Sequence, residues 1–135
     1  MSRGKLALSV VVGLIVALGL GYAWGSSGRS PIEHALDESR QQLDLAEARG
    51  HLLDARVSLF NLNFGEASQH FEEAKVPLGR VRDRFQKSGD RAAAEKLGTA
   101  LEQIADAQKR AGKLDQSANS KAGEALDTIK VAMRK

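Results

Sequence analysis

The side chains able to bind metal or move protons begin with two spaced pairs. Glu47 and His51, and likewise Glu66 and His70, stand four residues apart, which puts both members of each pair on one face of a helix. A carboxylate-bridged di-metal bundle uses Glu-x-x-His on two helices and one further Glu on each of two others. The spacing here is one residue longer, and the segments after residue 90 bring no matching Glu to an inward stripe. These pairs, and the third histidine, His34, therefore read as solvated surface groups, and no metal ligand is assigned. Neither a nucleophile elbow nor a phosphate-cradling glycine loop occurs in the sequence. Most of the 13 glycines lie in the first apolar run, the linker after it and the turns. With no cysteine there is no thiolate metal site, disulfide or lipid-anchor cysteine. The expectation is a protein that is not an enzyme and carries no cofactor.

Charge placement removes a second class of function. The net charge is +3, and Arg3, Lys5 and Arg29 precede residue 31 without any acid. From Pro31 onward, 17 basic residues balance 17 acidic ones. A nucleic-acid surface needs a one-sided basic face and stacking aromatics, so no nucleic-acid partner is expected. Aromatics at 4% and only two prolines favour helices over a β-sandwich.

The apolar residues are distributed unevenly along the chain. Leu6 to Trp24 is uncharged throughout, and as a helix it would measure about 28 Å, close to the hydrocarbon thickness of a bilayer. Arg3 and Lys5 stand before it, and Tyr22 and Trp24 close its far end. The positive-inside rule then puts the N-terminus in the cytoplasm. Residues 1–24 are thus expected to be a single-pass transmembrane anchor in contact with lipid through 6–24. The segment 25–30 (GSSGRS) reads as a flexible linker, and 31–135 as an extracytoplasmic domain, periplasmic in a Gram-negative cell. The alternative is a secretory signal cleaved near Ala23 or Gly25, although its apolar core would be longer than usual. Ser9, Gly13, Ala17 and Gly21 recur every four residues, a spacing suited to self-association of membrane helices.

Four amphipathic helices with short connections are expected beyond the linker, packed antiparallel as a bundle. Ser30, Pro31 and Glu33 have the order of a capping box. Ile32, Leu36, Ser39, Leu43, Ala46, Gly50, Leu53, Val57, Phe60 and Phe64 then alternate by four and three, a heptad pattern. It suits the core-facing side of a bundle helix, the preferred reading, or a homodimeric coiled coil. Asn61–Gly65 should end that helix. The second stripe is Ala67, Phe71, Ala74, Leu78, Val81 and Phe85, with a kink expected at Pro77. After Ser88-Gly89-Asp90 the third is Ala93, Leu97, Ala100, Ile104, Ala107 and Ala111. The last is Leu114, Ala118, Ala122, Ala125, Ile129 and Met133. Residues 33–54 hold six acids against two bases, and 75–96 hold seven bases against three acids. Antiparallel pairing of the first two helices would bring these fields together, so the basic run Arg80, Arg82, Arg84, Lys87 and Arg91 reads chiefly as a face toward the first helix.

The stretch 63–78, with Ala67, Phe71 and Ala74, resembles the second-helix half of a tetratricopeptide repeat, and residues 112–129 echo it more faintly. Asp54 and Ser58 fall where that family has a leucine and an aromatic, and the two echoes lie further apart than one repeat. The resemblance implies helical hairpins used for protein interaction, without a true repeat array.

The function expected from these features is a membrane-anchored helical adaptor or scaffold in the cell envelope that binds another protein. Phe60, Phe64 and Phe71 are its candidate contacts, because aromatics anchor interfaces. Two alternatives stand beside it: a homodimeric coiled-coil spacer, and a bundle that holds a small apolar ligand between Ala-rich helices.

Overall fold

A computed structural model describes residues 29–134 and, before them, Gly13, Ile15 and Val16. Apart from Gly13, Ile15 and Val16, the apolar run 6–24, with the rest of the small-residue stripe and linker residues 25–28, lies outside the described residues. Among the described residues, no helix is long and apolar enough to cross a membrane.

The described chain is all-helical: α1 (Arg29–Phe60), α2 (Phe64–Ser88), α3 (Arg91–Ala111) and α4 (Ala118–Ala132). Its contacts divide it into two compact units, one ending at Ser39 and one running from Arg40 to Lys135. In the first unit, every residue from Pro31 to Ser39 is exposed. The described helix begins two residues before Pro31, so Ser30 lies within α1. Proline is tolerated there because the first amides of a helix have no partner within it.

The second unit is the helical bundle. Its core joins Leu45, Ala48, Leu52, Ala55 and Leu59 of α1 to Ala67, Phe71, Ala74, Leu78 and Val81 of α2. Leu97, Ala100, Ile104, Ala107 and Ala111 of α3 complete it with Ala118, Ala122, Ala125 and Ile129 of α4. Ten of these nineteen residues are alanine, so the helices approach closely while each contact buries little area.

The direction of α1 against α2 follows from three polar contacts. Ser58 Oγ donates to Glu66 Oε2 at 3.1 Å, His51 Nδ1 lies 3.1 Å from Glu73 Oε2, and Arg80 Nη2 meets Asp44 Oδ1 at 2.6 Å. Each step of seven residues down α1 is matched by a step of seven up α2, which is antiparallel heptad packing. Gln108 of α3 ties to α2 in the same way. Its Nε2 donates to Ser68 O and Glu72 Oε2, and its Oε1 accepts from Lys75 Nζ. Arg56 Nε donates to Asn119 Oδ1 at 2.8 Å, linking α1 to α4.

Local chemistry sets the helix ends. Asn63 caps α2, its side chain accepting from Glu66 N, while Asn63 Nδ2 donates back to Glu66 Oε2. Gly89, at φ 85°, supplies the left-handed residue that ends α2, and Asp90 caps α3 by accepting from Ala93 N. Leu62 and Leu114 are also left-handed, with φ 60° and 57°, a conformation costly for a residue with a Cβ. Leu114 is exposed in the connection and does not join the α4 stripe. α2 runs through Pro77 without interruption, and Pro77 itself is buried.

The main correction concerns α1. Within the bundle unit the heptad stripe read as its bundle face is the outward one: Leu43, Ala46, Leu53, Val57 and Phe60 are exposed, and Gly50 is half-buried; Ile32, Leu36 and Ser39 of the first unit are exposed as well. Phe64 belongs to α2. The buried set lies two residues further along, at Leu45, Ala48, Leu52, Ala55 and Leu59. Two residues turn an α-helix by about 200°, so α1 carries apolar stripes on opposite faces and only one of them packs in the bundle.

Candidate functional site

The outward stripe of α1 is a regular apolar feature of the described surface. Leu43 is 67% exposed, Leu53 52%, Val57 60% and Phe60 84%. Ile32 and Leu36, in the first unit, keep the same spacing in sequence and are exposed as well. Scattered exposed leucines are ordinary, but exposed apolar residues at sustained heptad spacing have the pattern of a coiled-coil seam. Arg49 and Asp54 flank it, both exposed.

The three candidate aromatic contacts separate. Phe60 lies on the seam and is open to solvent. Phe64 is half-buried against the core, and Phe71 is wholly buried within it. Phe71 is therefore a core residue and not a contact. It occupies the middle of the inward face of α2, between Ala67 and Ala74, where a large ring fills the space the alanines leave.

Two residues of the basic run, Arg80 and Arg84, meet acids of α1. Asp44 is buried, and its Oδ1 accepts from Arg80 Nε at 3.0 Å and Nη2 at 2.6 Å, while Arg84 Nη1 donates to Oδ2. Arg80 also reaches Glu47 at 3.3 Å. The Arg80 hydrogen bonds, joined by Arg84, hold the Asp44 carboxyl below the usual aspartate range despite its burial. Arg82 pairs with its neighbour Asp83.

Neither of the Glu–His pairs read from the spacing forms. Glu47 turns to Arg80, and Glu66 to Asn63 and Ser58. Instead, His51 of α1 and His70 of α2 both address Glu73. Glu73 Oε2 lies 3.1 Å from each Nδ1, and its Oε1 accepts from Gln69 Nε2 at 3.0 Å. The two imidazole rings lie 6.1 Å apart between centroids and 29° from parallel. Hydrogen bonds from Gln69 and His70 hold the Glu73 carboxyl below its ordinary range. Half of this cluster was open to sequence reading, since His70 and Glu73 are three residues apart on one helix face. Recognising His51 as well required the register between α1 and α2.

A surface depression of about 200 Å³ is lined by Leu59, Phe60, Gln116 and Asn119. It sits where the end of α1 meets the α3–α4 connection and the start of α4, not between the Ala-rich faces that a small apolar ligand would enter. Compared with family models, curated proteins and solved structures, the chain finds no match.

Proposed function

We propose that this chain is a membrane-anchored, non-catalytic helical module of the cell envelope that acts by protein–protein association, with the outward seam of α1 as its interface. The observation that carries this reading is the exposed heptad face opposite the one packed in the bundle. Residues 6–24 are the proposed anchor, with the N-terminus in the cytoplasm and the helical domain outside, periplasmic in a Gram-negative cell. The likeness to tetratricopeptide hairpins belongs to the same proposal, as a helical-hairpin interaction module.

The proposed occupant of the seam is a second copy of the chain, aligned parallel. Leu36, Leu43, Gly50 and Val57 take the a positions, and Ile32, Ser39, Ala46, Leu53 and Phe60 the d positions. Parallel pairing sets Arg49 of each copy against Asp54 of the other, whereas antiparallel pairing would set like flanking positions together. Anchoring both copies by the same end in one membrane favours the same direction. Ser39, Ala46 and Gly50 make the middle of the seam thin, so association depends on the high local concentration the membrane gives.

The chain has no cysteine, so single cysteines report the pairing. Val57→Cys and Leu53→Cys in the full chain, in membranes that carry it, should each oxidise to a covalent dimer, while Glu102→Cys on the exposed face of α3 should not. A monomeric chain with no such crosslink overturns self-association. Crosslinking of Val57→Cys to a different envelope protein would keep the seam and change its occupant.

A further inference from the structure

We propose that His51, His70 and Glu73 form a transition-metal site, best suited to Zn²⁺, that clasps α1 to α2. This goes beyond the association reading and does not depend on it. The three side chains offer two imidazole nitrogens and one carboxylate oxygen, all within 4.8 Å of one another. Zinc binds nitrogen and oxygen ligands at about 2.0–2.2 Å in tetrahedral geometry, so its ligand atoms stand about 3.3–3.5 Å apart. Two of the three edges stand at 3.1 Å and the third lies within 4.8 Å, so an ion needs the two short edges to open by a few tenths of an ångström and the two nitrogens to settle at the same spacing.

The state of His51 points the same way. Its Nδ1 is buried and, though 3.1 Å from Glu73 Oε2, has no aligned hydrogen-bond partner. A buried ring nitrogen without a partner costs free energy that a metal bond would offset. Gln69 holds the other oxygen of Glu73, the outer-layer support that orients a metal-binding carboxylate. All three side chains are partly exposed, which leaves an entry path and room for water as a fourth ligand, the arrangement of an open site. Imidazole suits zinc, copper and nickel and disfavours the hard cations calcium and magnesium. Because the ligands come from two helices, the bound ion would fasten the hairpin whose outer face carries the seam.

The test uses the untagged full chain in detergent micelles, stripped with chelator and titrated with Zn²⁺ alone by isothermal calorimetry. One ion per chain is expected, with micromolar affinity. His51→Ala and Glu73→Gln should each weaken binding at least about tenfold, while His34→Ala should leave it unchanged. Circular dichroism checks that each variant stays helical. Should a variant unfold, Co²⁺ decides in the parent chain: four- or five-coordinate ligand-field bands displaced by Zn²⁺ support the site, and their absence overturns it. No saturable Zn²⁺ binding by the parent chain, or equal binding by the folded His51→Ala/His70→Ala double variant, also overturns the proposal.

Discussion

Leu43 and Leu45 stand two residues apart on α1, yet the first is 67% exposed and the second 7%. The same inversion repeats at Leu53 and Ala55, and again at Val57 and Leu59. One helix thus serves two surfaces, and substitutions on them should separate folding from association.

Leu52 is fully buried and its neighbour Leu53 is exposed. Leu52→Ala should lower the unfolding free energy by about 2–5 kcal/mol. Leu53→Ala should change it by less than about 0.5 kcal/mol in a dilute, unassociated chain, while weakening crosslinking through Val57→Cys. Urea denaturation at two protein concentrations checks both. Equal costs would show that the two faces are not distinct.

Asp44→Ala should destabilise the domain by about 1–3 kcal/mol, less than for a fully buried pair because Arg80 and Arg84 keep access to water. The pH dependence has a definite sign. The folded carboxyl titrates below its unfolded value, so its stabilisation is fully present above the unfolded pKa of about 3.9. It is lost as pH falls from there through the depressed folded value. Thermal melts from pH 7 to pH 2.5 should show the parent and Asp44→Ala converging only at the acid end. A constant difference between them would contradict the assignment.

The left-handed leucines predict an unusual gain. Leu62→Gly and Leu114→Gly remove exposed side chains from residues at positive φ, where a Cβ costs about 1–2 kcal/mol. Glycine's greater freedom in the unfolded chain offsets part of this, so each change should be neutral or stabilising by up to about 1 kcal/mol. Gly89→Ala, at the φ 85° end of α2, should act in reverse and cost about 1 kcal/mol. Melting temperatures that fall for both leucine variants would contradict this conformational account.

Membrane retention tests the anchor directly. The chain should stay with membranes through carbonate washing, and its intact mass should include the first 25 residues. External protease on opened envelopes should remove the helical domain. A soluble form beginning near Ser26 would replace the anchor with a cleaved signal, and full protection from protease would reverse the orientation.

Much of the bundle was legible from the chain alone. The stripes of α2, α3 and α4 return as core at Ala67, Phe71, Ala74, Leu78 and Val81, from Ala93 to Ala111, and at Ala118, Ala122, Ala125 and Ile129. Each of these helices carries one regular apolar stripe, so periodicity selects that side. On α1 the periodicity was read correctly but assigned to the wrong surface. Both stripes keep heptad spacing, and the exposed one has the larger side chains near its ends, whereas two of the five buried residues are alanines. Spacing along one helix cannot tell which face a neighbouring helix covers. The His51–Glu73 contact escaped for a related reason, since it exists only once α1 and α2 are set in register.

The alanine-rich packing of α3 against α4 has a mechanical consequence. A methyl group has no side-chain torsion to adjust, so Ala100, Ala107, Ala111, Ala118, Ala122 and Ala125 cannot reorient to follow a displaced neighbour. A leucine-filled interface can absorb strain by exchanging side-chain conformers, whereas the alanine contacts of this one adjust by sliding whole helices past each other. Leu97, Ile104 and Ile129, the large fully buried side chains of this pair, act as detents on such a slide and favour a few discrete settings over a continuous range.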